Sequence, residues 1–394
     1  MSLASLQYIE KVFGSIVCGL LHLPAQFIPK PKNPAANDVH KLLVVKFFGI
    51  GSLVLSTPFL RAAHQTFPKA EIHLLTLSSN REIVAMIPDV DHAHFVDLGG
   101  NIFAAIGAFL ACLISTFRGR YDVLIDMEFY TRASAVVSLA SWAPVRVGFH
   151  SRGVYRGNIS SHRVPFNAYW HVTRNFLSLL EPFGLDTTTQ DALPVITIAP
   201  KLQGQAHSLI EAQASPFLVI NVNAGELAFE RRWSPERFSQ LAAKLSKKYN
   251  LACLFIGSPG ETDYVQSAVE GCLALDGKAV NTAGQLNLQE MAQVCRESRL
   301  VISNDSGPLH IAAATGTPVV GFFGPETPVL YGPVGAGHLV FHKSLSCSPC
   351  INIEQSKSLK CWHPTPICQE RTSVDEAFKA ICKTYGKVLS AKHK

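Results

Sequence analysis

The sequence predicts an α/β protein made of two doubly wound, Rossmann-like domains facing a central cleft. Its 394 residues exceed one ordinary α/β core and suit two domains of similar size. Apolar runs of strand length alternate with helical patterns through both halves, the signature of parallel sheets wound on both faces. A polar helical stretch, Lys201 to Gln213, falls between the halves and sets the boundary near residue 200.

Before the first domain, Tyr8, Ile9, Val12, Phe13, Ile16, Val17, Leu20 and Leu21 repeat as one helical face. The opposite face carries Glu10, Lys11, Gly14, Ser15, Cys18, Gly19 and His22. Pro24 ends this amphipathic helix, and Pro29, Pro31 and Pro34 with Lys30 and Lys32 make a stiff linker to residue 38. A secretory signal would need a basic start before Lys11; a spanning helix is the alternative, but the apolar run is short and holds His22, Pro24 and Gln26. The segment is therefore expected to lie in a membrane interface.

In the first domain, 39–200, strand Leu42–Lys46 runs through a glycine turn into a helix near Leu53, followed by strands Glu71–Leu75, His94–Asp97 and Tyr121–Asp126. Between the last two, Ile102 to Phe117 carries no charge; a buried connecting helix and a membrane contact both remain open. The second domain, 201–394, has strands at Pro216–Asn221, Ala252–Ile256, Ala279–Asn281, Leu300–Ser303 and Val319–Phe323. Helices are expected to start near Pro235, Thr262, Leu288 and Leu309.

Hydrophobic residues at 47% and charged residues at 16% exclude a disordered chain and are oily for a soluble enzyme. The net charge of +6 is scattered without a Lys/Arg block, which points to anionic lipid or a phosphorylated substrate ahead of nucleic acid. Six of the ten cysteines sit in apolar patterns, as thiols in a reducing compartment do. The other four, Cys347, Cys350, Cys361 and Cys368, match no standard zinc spacing and read as a structural thiol cluster in preference to a metal site.

The sharpest motif is Ser303-Asn-Asp-Ser-Gly-Pro-Leu-His310, between a strand and a helix. Gly307 is read as a tight turn, and the amides of Ser306, Gly307 and Leu309 as the start of a helix whose dipole favours a diphosphate. Asp305 at the strand end suits sugar hydroxyls, with His310 in the same turn; helix capping by Asp305 or Ser306 is the plainer alternative. No acidic D-x-D pair near this motif asks for a metal.

This motif, with Gly316-Thr-Pro-Val-Val and Phe323-Gly-Pro-Glu-Thr-Pro328 after it, resembles the donor-site signature of glycosyltransferase family 9, the heptosyltransferase-like enzymes. Asn223-Ala-Gly225 with Glu230-Arg-Arg-Trp-Ser-Pro235 is similar to the family's glycine loop and K-R-W-P element, and Leu42 to Pro58 to its opening strand and turn. Tyr121-Asp122, Arg146-Val-Gly-Phe149 and the late cysteines are lesser echoes.

The resemblance implies a GT-B architecture and an inverting, metal-independent transfer, without a cofactor, from an ADP-sugar-like donor held by the second domain. The first domain would take a lipopolysaccharide-type, lipid-linked glycan acceptor, on the inner face of a bacterial cytoplasmic membrane. A UDP-sugar enzyme or epimerase of the same shape and a non-catalytic nucleotide-sugar binder are the alternatives. Arg231 takes the family's phosphate-binding lysine position, Glu261 the ribose-contacting acid, and Asn223 and Gly225 the glycine loop. Ser52 stands where the family has an aspartate general base. Leu124, Asp126 and Glu128 share one strand face, and Glu128, last and nearest the expected cleft, is the candidate base, with Ser52 positioning the acceptor; an ion pair between Glu128 and Arg132 is the alternative.

Overall fold

The computed structural model describes residues 14–22, 35–151, 153–190, 192–200, 204–212, 216–225, 228–351 and 361–391. They form two compact units that part between Pro194 and Val195.

In the first unit β1 (Lys41–Val45), β2 (Glu71–Leu77), β3 (His92–Val96), β4 (Val123–Asp126), β5 (Val145–His150) and β6 (His162–Pro165) form one sheet in the order β3-β2-β1-β4-β5-β6. Every pairing is parallel. The second unit repeats the plan with β7 (Phe217–Asn221), β8 (Ala252–Ile256), β9 (Lys278–Asn281), β10 (Val301–Asn304), β11 (Val319–Phe323) and β12 (Leu339–His342), ordered β12-β11-β10-β7-β8-β9. Central strands such as β1 and β7 are almost wholly buried, as strands covered by helices on both faces must be. The edge strands β6 and β12 alternate too weakly to stand out in the sequence.

The second core is organised by Trp233, which has no exposed surface, stacks on Phe322 with ring centroids 4.2 Å apart, and donates from Nε1 to the Thr372 carbonyl at 3.0 Å. This contact ties the loop after β7 to both the sheet and the C-terminal helix Val374–Leu389.

Of the N-terminal amphipathic helix, residues 14–22 are described and helical; the rest of it and the linker to Pro34 lie outside the described residues. The helix packs through its small face. Cys18 is fully buried against Ala135, Leu139 and Ile159, while Ile16 and Leu20 are exposed. Gly157, at φ +75°, receives it closely: His22 Nδ1 lies 2.9 Å from the Gly157 carbonyl oxygen. Within residues 14–22, then, Ile16, Val17 and Leu20 lie off the docking face, and Leu21 packs at its side.

The helix Ile102–Arg118, uncharged as far as Phe117, is likewise not a buried connector. Cys112 packs on the sheet beside Ala108, Phe109 and Leu113. Ile102, Phe103, Ile106, Leu110, Ile114 and Phe117 are exposed, Phe103 at 82%. Each leaves unrealised part of the roughly 1.5–3 kcal/mol that burial of such a side chain contributes.

Two glycine substitutions separate these helices. A Cβ at Gly157 would run into the Cys18 carbonyl, and its φ is one that L-residues rarely adopt. Gly107, inside Ile102–Arg118, has nothing within 4 Å of the same position. In urea unfolding, Gly157→Ala is expected to lose at least about 1 kcal/mol, whereas Gly107→Ala gains about 0.5–1 kcal/mol from better helix propensity. Equal stability of Gly157→Ala and the parent would contradict the docking of residues 14–22.

Candidate active site

In each sheet the chain leaves the first strand toward one edge and later returns to the other side. The two central neighbours are β1 and β4 in the first unit, β7 and β10 in the second. Connections from such a pair depart in opposite directions and leave a crevice at the strand carboxyl ends, where ligands bind in open α/β sheets. Most of the sequence-derived site residues gather at these two points.

At the β7/β10 point, Asn221 ends its strand and its amide donates to Ser303 Oγ at 2.9 Å, Ser306 Oγ at 2.8 Å and the Asn223 carbonyl at 3.2 Å. Asn304 answers from β10, donating to the Val222 carbonyl at 2.9 Å and accepting from the Trp233 amide at 2.8 Å. These amides fix the two loops to each other. Arg231 closes a short 3-10 turn, Phe229–Arg231. Its Nη1 lies 3.4 Å from Asp305 Oδ2, and Nη2 donates to the Ala224 carbonyl. Gly225 next to it has φ +70°, and its Cβ position lies 3.9 Å from Nη2. The Arg231 side chain is 16% exposed, and its buried Nε has no hydrogen-bond partner among the described residues. Gln369 holds it from behind, donating to the Arg231 carbonyl at 2.6 Å.

Asn223 and Glu261 sit toward β8. Asn223 is buried, donates to the Ile256 carbonyl at 3.4 Å, and its Oδ1 has no hydrogen-bond partner among the described residues. Glu261 is engaged at the start of its own helix. One oxygen closes a capping box on Ser258, accepting from its amide at 2.9 Å and its hydroxyl at 2.7 Å; the other lies 3.7 Å from Arg232. Arg232 is sandwiched by the rings of Phe229 and Tyr264.

The helix Gly307–Ala314 needs three corrections. Gly307 is its first residue and takes no positive φ, so it is not the tight turn expected. The Leu309 amide is bonded to the Ser306 carbonyl at 3.2 Å, and its side chain is core. Ser306 does not cap the helix; its hydroxyl is engaged by Asn221 and Ser303. His310 is buried at 5% exposure.

At the β1/β4 point the sequence reading misses Lys46. Its ammonium donates to Glu128 Oε1 at 2.7 Å and to the Phe48 carbonyl at 2.7 Å. The same Oε1 accepts from the amides of Phe47 and Phe48 at 2.8 and 3.1 Å. Glu128 has no exposed surface, and Oε2 has no hydrogen-bond partner among the described residues. Behind it, Arg156 clamps Asp126, Ser134 and the carbonyls of Glu128 and Thr131. Burial pushes the Asp126 carboxyl above its usual range, against the pull of the Arg156 guanidinium. Ser52 lies in the first turn of helix Ile50–Leu55 and is 8% exposed. A charged residue directly after an all-apolar strand, as in Leu42-Leu-Val-Val-Lys46, is the signal that marks Lys46.

The four late cysteines line one small enclosure with Glu230, Trp362 and His363; Cys347 Sγ lies 3.9 Å from His363 Nε2. Burial and the neighbouring thiols push Cys350 up and Cys368 to about 11. None of the ten cysteines is in a disulfide.

With this geometry in hand, comparison with known proteins is direct. Lipooligosaccharide heptosyltransferase 2 of Haemophilus ducreyi is 24% identical over 312 residues, 75% of this chain and 86% of that protein. Among solved structures, a glycosyl transferase family 9 protein of Veillonella parvula superposes with TM-score 0.72 at 21% identity, covering 91% of this chain and 99% of that one. Escherichia coli ADP-heptose lps heptosyltransferase II gives TM-score 0.69 at 19% identity, over 89% and 98%. These likenesses establish the GT-B fold. The model of glycosyltransferase family 9 (heptosyltransferase) matches residues 111–363, well over half of the chain, so this enzyme belongs to glycosyltransferase family 9.

Proposed function

We propose that the protein transfers heptose, with inversion, from ADP-heptose to a lipopolysaccharide-type acceptor, using residues 201–394 for the donor and 39–200 for the acceptor. The observation that carries this reading is Arg231 at the β7/β10 crevice, its guanidinium 3.4 Å from Asp305 and its Nε without a hydrogen-bond partner among the described residues. A planar, permanently charged fork suits a departing diphosphate, and Asp305 then turns to sugar hydroxyls. The names of the relatives, heptosyltransferases of lipopolysaccharide and lipooligosaccharide, supply the sugar and the acceptor class. Asn223, Gly225, Glu261 and Ser306 complete the donor side.

We assign Glu128 to positioning, in place of the general-base role expected from the sequence. A base must come within hydrogen-bond reach of the hydroxyl it deprotonates. Glu128 has no exposed surface, and one of its oxygens already accepts from three donors. It holds Lys46 and the turn that leads to Ser52, which orients the acceptor.

The first unit rests, in this reading, on an anionic membrane through the outward faces of Ile102–Arg118 and residues 14–22. Among the described residues no helix is long and apolar enough to cross a membrane. Trp142, 66% exposed and edge-on to Phe117 at 6.4 Å, extends the apolar face.

Three outcomes are expected. In a thermal-shift series of ADP-, UDP- and GDP-sugars, ADP-heptose gives the largest shift, and Arg231→Ala weakens its binding by about 1.5–3 kcal/mol; unchanged affinity would remove Arg231 from the site. Glu128→Gln leaves Lys46 buried without its charge partner and lowers unfolding stability by about 3–5 kcal/mol, whereas a base would lose turnover at unchanged stability. Flotation with phosphatidylglycerol vesicles recovers the parent protein, and the exposed pair Phe103→Glu/Leu110→Glu floats severalfold less; equal flotation would exclude that helix as the contact.

A further inference from the structure

At the opposite end of the first sheet from Lys46 and Glu128, four polar side chains share one face. β2 and β3 pair in parallel with His73 beside His92. Strand alternation therefore places Glu71 and His73 of β2 on the same side as His92 and His94 of β3. The pattern is plain in the chain as Glu71-x-His73 and His92-x-His94.

The donor atoms converge. Glu71 Oε2 lies 3.5 Å from His73 Nε2 and 3.8 Å from His92 Nε2, and donor atoms of the three residues lie within 4.8 Å of one another. Two ligands of a tetrahedral zinc ion, each about 2.0–2.1 Å from it, are separated by about 3.3 Å. The observed spacings are thus long for hydrogen bonds and close to those of atoms sharing an ion. His73 is 8% exposed, and its Nε2 is buried without a hydrogen-bond partner among the described residues. Its other nitrogen, Nδ1, lies 2.9 Å from His94 Nε2. When Nδ1–H donates to His94, the lone pair of Nε2 is left pointing at Glu71 and His92. A ring N–H bonded to an outer partner is the usual way a ligating histidine is oriented.

We propose that Glu71, His73 and His92 form a structural site for a divalent transition metal such as Zn²⁺, with water as the fourth ligand and His94 orienting His73. Two imidazoles and a carboxylate suit zinc, cobalt or nickel better than calcium or magnesium. The site lies at the amino ends of the strands, away from the carboxyl ends where this fold reacts, so the ion's role is to fasten the edge strand β3 to β2.

The test uses the full chain after stripping with a chelator, titrated with Co²⁺ and followed by its visible spectrum, and with Zn²⁺ by calorimetry. One equivalent is expected to bind with a nitrogen/oxygen spectrum that lacks thiolate charge-transfer bands, and Zn²⁺ is expected to raise the melting temperature. His92 is exposed, so His92→Ala should fold and lose both effects. His94→Ala should weaken binding about 10–100-fold. The double variant Cys347→Ser/Cys350→Ser should retain the equivalent, which separates this site from the thiol enclosure. Three results would overturn the proposal: an undiminished equivalent in His92→Ala, an equivalent that disappears only with the cysteines, or no binding by the parent protein at micromolar metal.

Discussion

Where two neighbouring strands of a parallel sheet send their connections to opposite edges, no helix covers the gap between them. The backbone there loses its sheet partners and must be held by side chains. Each unit meets this constraint with a cation after the first strand and a carboxylate after the fourth: Lys46 with Glu128, and Arg231 with Asp305. The pairs differ in burial. Lys46 and Glu128 are 2% and 0% exposed, while Arg231 and Asp305 are 16% and 5% exposed and further apart. The carboxylate of the sealed pair also binds two backbone amides, whereas the looser pair leaves its arginine partly exposed.

The β7/β10 crevice depends on more than its loops. Arg231 is reached from the C-terminal part of the chain, through Gln369 in the short helix Ile367–Glu370. Cys350 bonds the loop after β11 through the Pro325 carbonyl, and Ser348 bonds Gly324. The thiol enclosure therefore stands directly behind Arg231, with Glu230, its chain neighbour, in the enclosure wall. Cys350 and Cys368, whose thiols burial pushes up, add packing there without adding charge.

Much of the fold was legible because buried parallel strands read as short, mainly apolar runs, and β1, β4, β7, β8 and β11 are of that kind. The edge strands β6 and β12, half-solvated and only four residues long, carry no such signal. The residues gathered at the β7/β10 crevice, Asn223, Arg231 and Asp305 among them, were singled out through motif likeness, since the loop after β10 keeps its spacing. What local sequence could not show was pairing across distance: Lys46 meets Glu128 82 positions away, and periodicity is silent about such contacts. Helix polarity was equally hidden. The apolar stripe at residues 16–20 faces outward because Gly157 lets the Cys18 backbone approach and Gly14 leaves room for the Arg132 side chain.

That last contact also bears on how the chain is made. His22 meets Gly157 across 135 residues, and Cys18 packs against helix residues beyond position 130. At about 5–20 residues per second, synthesis of the intervening segment takes roughly 7–27 s. For that interval residues 14–22 are outside the ribosome with no docking surface yet in existence. Their apolar side is then available to whatever reaches it first, a bilayer or a chaperone, before the domain that seats the helix has been completed.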